Sequence, residues 1–216
     1  MVKIEAVFFD FDGVLRDSRD ALWAANVHAL NSYGVEVSQD DLRPHIHHIN
    51  AVHDRFVPHI SRDDLSEKFY QKFSELKEDV HLYEGVGKVV DELVKSGLLI
   101  GLVTTATSSE ELLAQAGILD QFSVIVGGND TRHHKPHPEP VLTALARLGV
   151  AAGRAIMVGD LPADIQAARS AKLFATIGIT HGFGTSEMLK EAGADYLIDT
   201  LSDVIGIVKE MNDVVT

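Results

Sequence analysis

Short apolar runs alternate with amphipathic segments along most of the chain. From residue 84 onward the apolar runs are bounded by turn residues, as expected of strands buried on both faces of a parallel sheet. These runs are Leu98–Val103, Ser123–Val126, Ala155–Val158, Leu173–Ile177 and Ala194–Ile198. Helical periodicity separates them at Val86–Ser96, which stops at Gly97, and at Glu139–Leu148 and Asp164–Ser170. This alternation predicts parallel βαβ units.

The N-terminal part of the chain has a different pattern. Ile4–Phe9 is an apolar run that predicts a first strand, but residues 16 to about 80 show helical periodicity and no strand. Ser18 is a candidate N-cap for the first of these helices, and Leu65–Leu76 predicts another. The sequence therefore predicts an α/β fold: a Rossmann-like parallel-sheet core from residues 1–15 and 81–216, with an inserted all-helical cap domain at residues 16–80.

Composition limits the classes of function. The 216-residue chain carries a formal charge of −13, which argues against a general nucleic-acid binder but not against an anionic substrate, because a bound metal can reverse the local field. There are no cysteines, which excludes disulfides, thiolate zinc sites and cysteine nucleophiles. No apolar run approaches the roughly 20 residues of a membrane helix, and the N-terminus lacks a signal-peptide pattern. We expect a soluble, cytoplasmic monomer or homodimer.

Polar residues follow several of the predicted core strands at their carboxyl ends. In open parallel α/β sheets this edge is where ligands bind. The residues are Asp10 and Asp12 after the first strand, Thr104 and Thr105 after Leu98–Val103, Lys135 in the loop after Ser123–Val126, and Asp160 after Ala155–Val158.

These residue types suit phosphoryl transfer. A carboxylate can act as a covalent nucleophile towards phosphorus, and Asp10 is the candidate. Asp12 can protonate the leaving alkoxide and later activate water. Magnesium prefers oxygen ligands, which Asp10, Asp160 and a backbone carbonyl at Asp12 can supply. Lys135 can offset negative charge, and the Thr104 hydroxyl can donate to phosphoryl oxygens.

Each residue has a structural alternative. Asp12 and Gly13 could form a turn, Thr104 and Thr105 could cap a helix near residues 108–110, and Lys135 could be a solvated loop lysine. Asp160 with Asp164 could be a turn and an N-cap. Their joint occurrence in this order favours a catalytic site.

These segments resemble the haloacid dehalogenase superfamily, specifically its phosphatases with a helical cap after the first strand. The matching stretches are VFFDFDGVLRDS, LYEGV, GLVTTAT, VGGNDTRHHKPHPEP and IMVGDLPADIQAARSA. The resemblance implies Mg²⁺-dependent aspartyl-phosphate chemistry, with Asp10 as nucleophile and Asp12 as acid/base. It also implies that Thr104, Thr105 and Lys135 bind phosphate, that Asp160 ligates the metal, and that Asp164 is a nearby supporting carboxylate.

The resemblance also bears on the substrate. The dehalogenases and phosphonate-cleaving members lack an Asp at the position of Asp12, so its presence favours phosphate esters of small metabolites. The likeness to phosphoglycolate phosphatases makes phosphoglycolate the favoured substrate. Val14, Thr105 and Leu161 depart from the commonest family pattern, and the Val14 variant also occurs in phosphosugar mutases. A mutase and a non-catalytic phosphometabolite-binding protein are the alternatives.

The predicted cap carries further candidate groups. Arg43 could contact a substrate carboxylate or phosphate, since its planar guanidinium suits either. His45 and His48 are one helical turn apart, which makes a zinc site conceivable, although a polar face of the cap explains them as well.

Overall fold

The chain forms two compact units. The computed structural model describes residues 3–46, 49–76, 80–106 and 109–213. One unit comprises Met1–Arg16 and Leu82–Thr216, and the other comprises Asp17–His81. The helical unit therefore begins and ends one residue later than the segment predicted at residues 16–80.

Helices are the secondary structure of the second unit between Arg19 and Leu76, in the part of it that the structure describes. Its helices are α1 (Arg19–Asn31), α2 (Gln39–Leu42), α3 (Ile49–Phe56) and α4 (Arg62–Leu76), with a short 3-10 helix at Arg43–His45. Helices α1 and α4 pack against each other and bury apolar residues that include Ala25, Ala29, Leu65 and Phe69. Ser18 occupies the predicted N-cap position of α1, although its side chain makes no capping hydrogen bond to the first turn.

The first unit is built on a six-stranded sheet. Its strands are β1 (Ala6–Phe9), β4 (Leu99–Val103), β5 (Phe122–Val126), β6 (Ala155–Gly159), β7 (Ala175–Ile179) and β8 (Tyr196–Ile198). They lie in the order β5-β4-β1-β6-β7-β8, and every neighbouring pair is parallel. The predicted α/β class is confirmed. Two further short strands, β2 (Arg16–Asp17) and β3 (His81–Leu82), pair with each other where the chain passes from one unit to the other.

Helices cover both faces of this sheet. Val7 and Phe9 point to one face, where they pack with α5 (Val86–Lys95) and α10 (Asp203–Asp213). Ala6 and Phe8 point to the other face, where they pack with α7 (Glu139–Leu148) and α8 (Pro162–Ser170). The remaining helices are α6 (Ser109–Gln115) and α9 (Ser186–Glu191). Burial on both faces explains why the strands read as continuous apolar runs.

None of the described helices combines the length and the apolar composition that a transmembrane span requires. Strand β1 lies between β4 and β6 at the centre of the sheet, so the residues that follow these three strands meet at one edge.

Candidate active site

Three buried carboxylates meet beyond the carboxyl ends of β1 and β6. Asp10 follows β1, Asp160 follows β6, and Asp164 lies in the first turn of α8. One carboxylate oxygen from each residue lies within 4.8 Å of the corresponding oxygens of the other two, and all three residues are buried. Asp164, predicted to be a supporting carboxylate, thus belongs to the same cluster as the other two.

The ammonium group of Lys135 joins this cluster. Its Nζ lies 2.7 Å from Oδ1 of Asp10 and 2.6 Å from Oδ1 of Asp164. It also donates a 3.0 Å hydrogen bond to the carbonyl oxygen of Val103, the last residue of β4. The lysine is buried, so it is not the solvated loop residue of the structural alternative.

The loop that presents Lys135 is closed by Glu139, the first residue of α7. The Glu139 carboxylate accepts hydrogen bonds from the backbone N–H groups of Arg132 and His133, both at 3.1 Å. It also bonds to the Nδ1 atom of His133 at 2.6 Å, and this contact lowers the pKa of Glu139. Glu139 thus fixes both ends of the segment in which Lys135 lies.

Asp160 is held by a loop that follows β7. The backbone N–H of Phe183 donates to its Oδ2 atom at 2.7 Å, and the N–H of Gly184 donates to its carbonyl oxygen at 3.0 Å. A Cβ atom on Gly182 or on Gly13 would lie 2.2 Å from Oδ2 of Asp160. Both glycines are therefore required for the backbone to approach this carboxylate so closely.

The electrostatics of the cluster favour protonated carboxylates. Burial raises the pKa of Asp10 to about 7, against the opposing charge of Lys135 and with a further rise from Asp164. Burial, followed by the charges of Asp164 and Asp10, also raises the pKa of Asp160 well above its ordinary value. For Lys135, burial alone would lower the pKa, but the charges of Asp10 and Asp164 outweigh it and raise the pKa. One ammonium group faces three carboxylates, so the cluster lacks positive charge.

These residues fit a divalent cation. The Oδ1 atom of Asp160 is buried and has no hydrogen-bond partner among the described residues, although an uncompensated buried carboxylate oxygen is costly. It belongs to a cluster whose donors are all carboxylate oxygens, the ligand type that Mg²⁺ prefers. A bound cation would satisfy this oxygen and supply the missing charge.

Asp12 is paired with an arginine that the sequence analysis did not single out. The Arg16 guanidinium donates from Nε to Oδ1 of Asp12 at 2.6 Å and from Nη2 to Oδ2 at 2.8 Å. Both residues are buried. Oppositely charged residues four positions apart predict an ion pair only when they lie on a helix. The segment from Asp12 to Arg16 is a turn, so their spacing in the sequence is only a weak signal of this contact.

Thr104 and Thr105 follow β4. Thr104 is buried, and its hydroxyl oxygen accepts a 3.0 Å hydrogen bond from the backbone N–H of Ala106. The hydroxyl hydrogen can therefore be donated to another group. Thr105 is half-buried, and a Cβ atom on Gly128 would lie 2.4 Å from its carbonyl oxygen, so the two loops touch closely.

Arg43, His45 and His48 are the candidate groups predicted in the helical unit. The Arg43 guanidinium lies 3.9 Å from the carboxylate of Asp40, three residues before it. His45 packs edge-on against the ring of Phe56, with centroids 6.0 Å apart. His48 lies outside the described residues, so the conceivable zinc site with His45 stays untested.

Comparisons with known proteins agree with this architecture. Residues 7–177 match the family model of haloacid dehalogenase-like hydrolases. The pyrophosphatase PpaX of Bacillus mycoides is 33% identical over 218 residues, which cover 98% of this chain and 100% of the relative. PpaX of Bacillus velezensis is 32% identical over 211 residues, covering 95% of this chain and 96% of the relative.

Solved structures share the fold at lower identity. A structure described as a predicted phosphoglycolate phosphatase from Haemophilus somnus superimposes with a TM-score of 0.80 at 24% identity, covering 96% of this chain and 99% of that one. A β-phosphoglucomutase from Clostridium difficile gives a TM-score of 0.83 at 21% identity, covering 98% of both chains. The chain belongs to the haloacid dehalogenase-like hydrolase family. The resemblance inferred from the sequence and the prediction of a hydrolase are confirmed.

Proposed function

We propose that this protein is a Mg²⁺-dependent phosphatase that hydrolyses a small phosphate ester through an aspartyl phosphate on Asp10. The observation that most supports this is the placement of the Asp10 carboxylate. It is buried at the end of the central strand, 2.7 Å from the ammonium of Lys135 and in one cluster with Asp160 and Asp164. A nucleophilic carboxylate needs such neighbours, since the incoming phosphoryl group brings further negative charge.

The reaction has two steps in this proposal. A carboxylate oxygen of Asp10 forms a bond to phosphorus while the bond between phosphorus and the ester oxygen breaks, and Asp12 gives its proton to the departing alkoxide. In the second step Asp12 takes a proton from water as the water oxygen forms a bond to phosphorus and the bond between phosphorus and the Asp10 oxygen breaks. Inorganic phosphate leaves, and Asp10 and Asp12 return to their starting states.

Other residues position the phosphoryl group. Lys135 offsets the charge that accumulates on Asp10 and on the phosphoryl oxygens, and the Thr104 hydroxyl donates a hydrogen bond to one of those oxygens. Thr105 is assigned to the same phosphate-binding loop because it directly follows Thr104.

The metal would be held by Asp10, Asp160 and the backbone carbonyl of Asp12, with Asp164 close enough to hold a ligating water or the ion itself. When bound, Mg²⁺ supplies positive charge to the carboxylates and phosphoryl oxygens. The orphaned Oδ1 atom of Asp160 supports this assignment.

Two compounds are the leading candidate substrates. Phosphoglycolate is favoured by the motifs of the sequence, and pyrophosphate is the second candidate because the curated relatives at 32–33% identity are named pyrophosphatases. The helical unit at Asp17–His81 is proposed to act as the cap that selects between them.

Release of inorganic phosphate tests the proposal. The purified protein is assayed with and without Mg²⁺ on phosphoglycolate, pyrophosphate, sugar phosphates and nucleotides, beside the Asp10→Asn variant. We expect metal-dependent release that the variant lacks, with the highest kcat/KM naming the substrate. Equal release by the variant would refute a covalent role for Asp10. Absence of release from every compound by a folded protein would favour a mutase or a binding protein.

A further inference from the structure

Arg16 engages both carboxylate oxygens of Asp12. The Nε atom lies 2.6 Å from Oδ1, and the Nη2 atom lies 2.8 Å from Oδ2 and 2.6 Å from Oδ1, so two guanidinium nitrogens hold the carboxylate. The side chains are 8% and 9% exposed, so this is a buried pair rather than a surface ion pair. Such a contact fixes the orientation of a carboxylate as well as its charge.

Backbone hydrogen bonds also hold Arg16 in place. The N–H of Gly13 donates to the carbonyl oxygen of Arg16 at 2.9 Å, and the N–H of Arg16 donates to the carbonyl oxygen of Phe11 at 2.8 Å. The guanidinium also lies 4.6 Å from the centre of the buried Phe11 ring. Asp12 and Arg16 are thus the two ends of one closed turn.

This contact bears on the chemistry that Asp12 must perform. A carboxyl group that gives a proton to an alkoxide carries that proton on one oxygen, and in this structure both oxygens accept hydrogen bonds from Arg16. A protonated carboxyl group keeps acceptor capacity, so Arg16 can hold one oxygen while the other turns its proton towards the leaving group. Both contacts are available again once Asp12 has given up its proton.

We propose that Arg16 is the positioning residue of Asp12, which tethers the carboxyl group through one hydrogen bond while the other oxygen presents its proton to the leaving group. The inference rests on the proposed function. Arg16 exchanges no proton itself: the proton moves from Asp12 to the leaving oxygen in the first step and from water to Asp12 in the second. Because Arg16 acts only through Asp12, replacing Arg16 should change kcat/KM most for substrates whose leaving group must be protonated.

The dependence on the leaving group provides the test. An alkyl phosphate needs protonation of its leaving oxygen, whereas the nitrophenolate of p-nitrophenyl phosphate leaves without it. For a covalent mechanism, kcat/KM reports binding and the first step only. We would measure kcat/KM for p-nitrophenyl phosphate and for the best alkyl phosphate with the wild type, Arg16→Met, Arg16→Lys, Asp12→Asn and the Asp12→Asn/Arg16→Met double variant.

We expect Arg16→Met to lower the ratio of alkyl to aryl kcat/KM by at least about 10-fold, part of the roughly 10²–10⁴-fold that an acid–base group contributes. Arg16→Lys, which keeps the charge and one hydrogen bond, should lower it less. In the Asp12→Asn background the Arg16→Met change should leave the ratio unaltered, since residues that act as one unit are not additive. Arg16→Lys preserves the test if Arg16→Met does not fold.

Two results would overturn the inference: an unchanged ratio, whether both activities are kept or lost equally, or a further fall of the ratio in the Asp12→Asn background. Equal losses would show a merely structural buried pair. The wild type separates this inference from the proposed function. A wild type that hydrolyses neither ester refutes both, whereas an active wild type with an unchanged ratio in Arg16→Met refutes only the role of Arg16.

Discussion

The Nζ atom of Lys135 lies 2.7 Å from Oδ1 of Asp10, so the proposed nucleophile is held by a buried cation that belongs to a different loop. The same ammonium lies 2.6 Å from Asp164. Lys135 is thus the single lysine or arginine that the described structure pairs with Asp10. Its two contacts connect the loop after β5 with Asp10 after β1 and with Asp164 in the first turn of α8.

Replacing Lys135 by Met should impair both stability and activity. Removing one partner of a buried ion pair leaves uncompensated charge, which costs about 3–5 kcal/mol. We expect the free energy of unfolding to fall by that order and kcat/KM to fall at least about 100-fold. Lys95→Met is the matched control, because Lys95 pairs with Asp91 at the surface, where solvent screens an ion pair and the loss should be small. Chemical denaturation measures both variants, and equal losses would contradict the assignment.

Asp160→Asn should separate metal binding from folding. The amide oxygen can still accept the hydrogen bond from Phe183, but the variant removes one negative charge from a cluster that lacks positive charge. We expect the metal-free variant to unfold at a higher temperature than the wild type, and Mg²⁺ to stabilise it much less. Thermal unfolding with EDTA and with Mg²⁺ measures this, with Asp91→Asn as a surface control. Undiminished stabilisation by Mg²⁺ would show that Asp160 is not a ligand.

The stability of the metal-free protein should fall as pH rises. Because burial raises the pKa of Asp10 to about 7 and that of Asp160 above its ordinary value, the folded state binds more protons than the unfolded state between the unfolded pKa of about 4 and these folded pKa values. This contribution is fully present below the unfolded pKa of about 4 and is lost as pH rises through the folded pKa. We expect the Tm in EDTA to fall by several degrees between about pH 5 and about pH 8.

Mg²⁺ should oppose this fall, because the ion binds the ionised carboxylates. The Asp10→Asn variant serves as the control and should lose part of the pH dependence. A Tm in EDTA that rises over the same range would contradict the electrostatic account of the cluster.

Gly13→Ala should damage the site more than the backbone alone explains. Gly13 has φ 78°, and a Cβ atom there would lie 2.2 Å from Oδ2 of Asp160. Gly149 has φ 66°, and a Cβ atom added there would have no other described atom within 4 Å. Gly149→Ala therefore isolates the cost of the left-handed backbone, about 1 kcal/mol. We expect Gly149→Ala to keep its activity and Gly13→Ala to lose Mg²⁺ stabilisation. Similar effects in both would mean that the contact with Asp160 is unimportant.

The fold was largely predictable because its strands are buried on both faces. That burial produces continuous apolar runs, and the predicted runs at Leu98–Val103 and Ala155–Val158 differ from β4 and β6 by one residue at one end. The predicted helix Glu139–Leu148 coincides with α7. The strand Leu173–Ile177 was placed two residues too early, because the apolar residues before Ala175 belong to the turn after α8.

The candidate site was predictable where it depends on topology and not where it depends on side-chain geometry. Carboxyl ends of parallel strands share one edge, which brings Asp10, Asp160 and Lys135 together. The contact between Asp12 and Arg16 depends on the path of a turn, and the N–H of Phe183 reaches Asp160 from a loop with no motif of its own. Neither contact has a periodicity or composition that a sequence could reveal.

Covalent labelling tests the central claim most directly. The wild type is mixed with its best substrate carrying a labelled phosphoryl group, quenched in acid within a single turnover, and digested for mass spectrometry beside Asp10→Asn. The account predicts a phosphoryl group on the peptide that contains Asp10, lost on longer incubation and absent from the variant. Turnover with no phosphorylated peptide, or with the label on another residue, would contradict it.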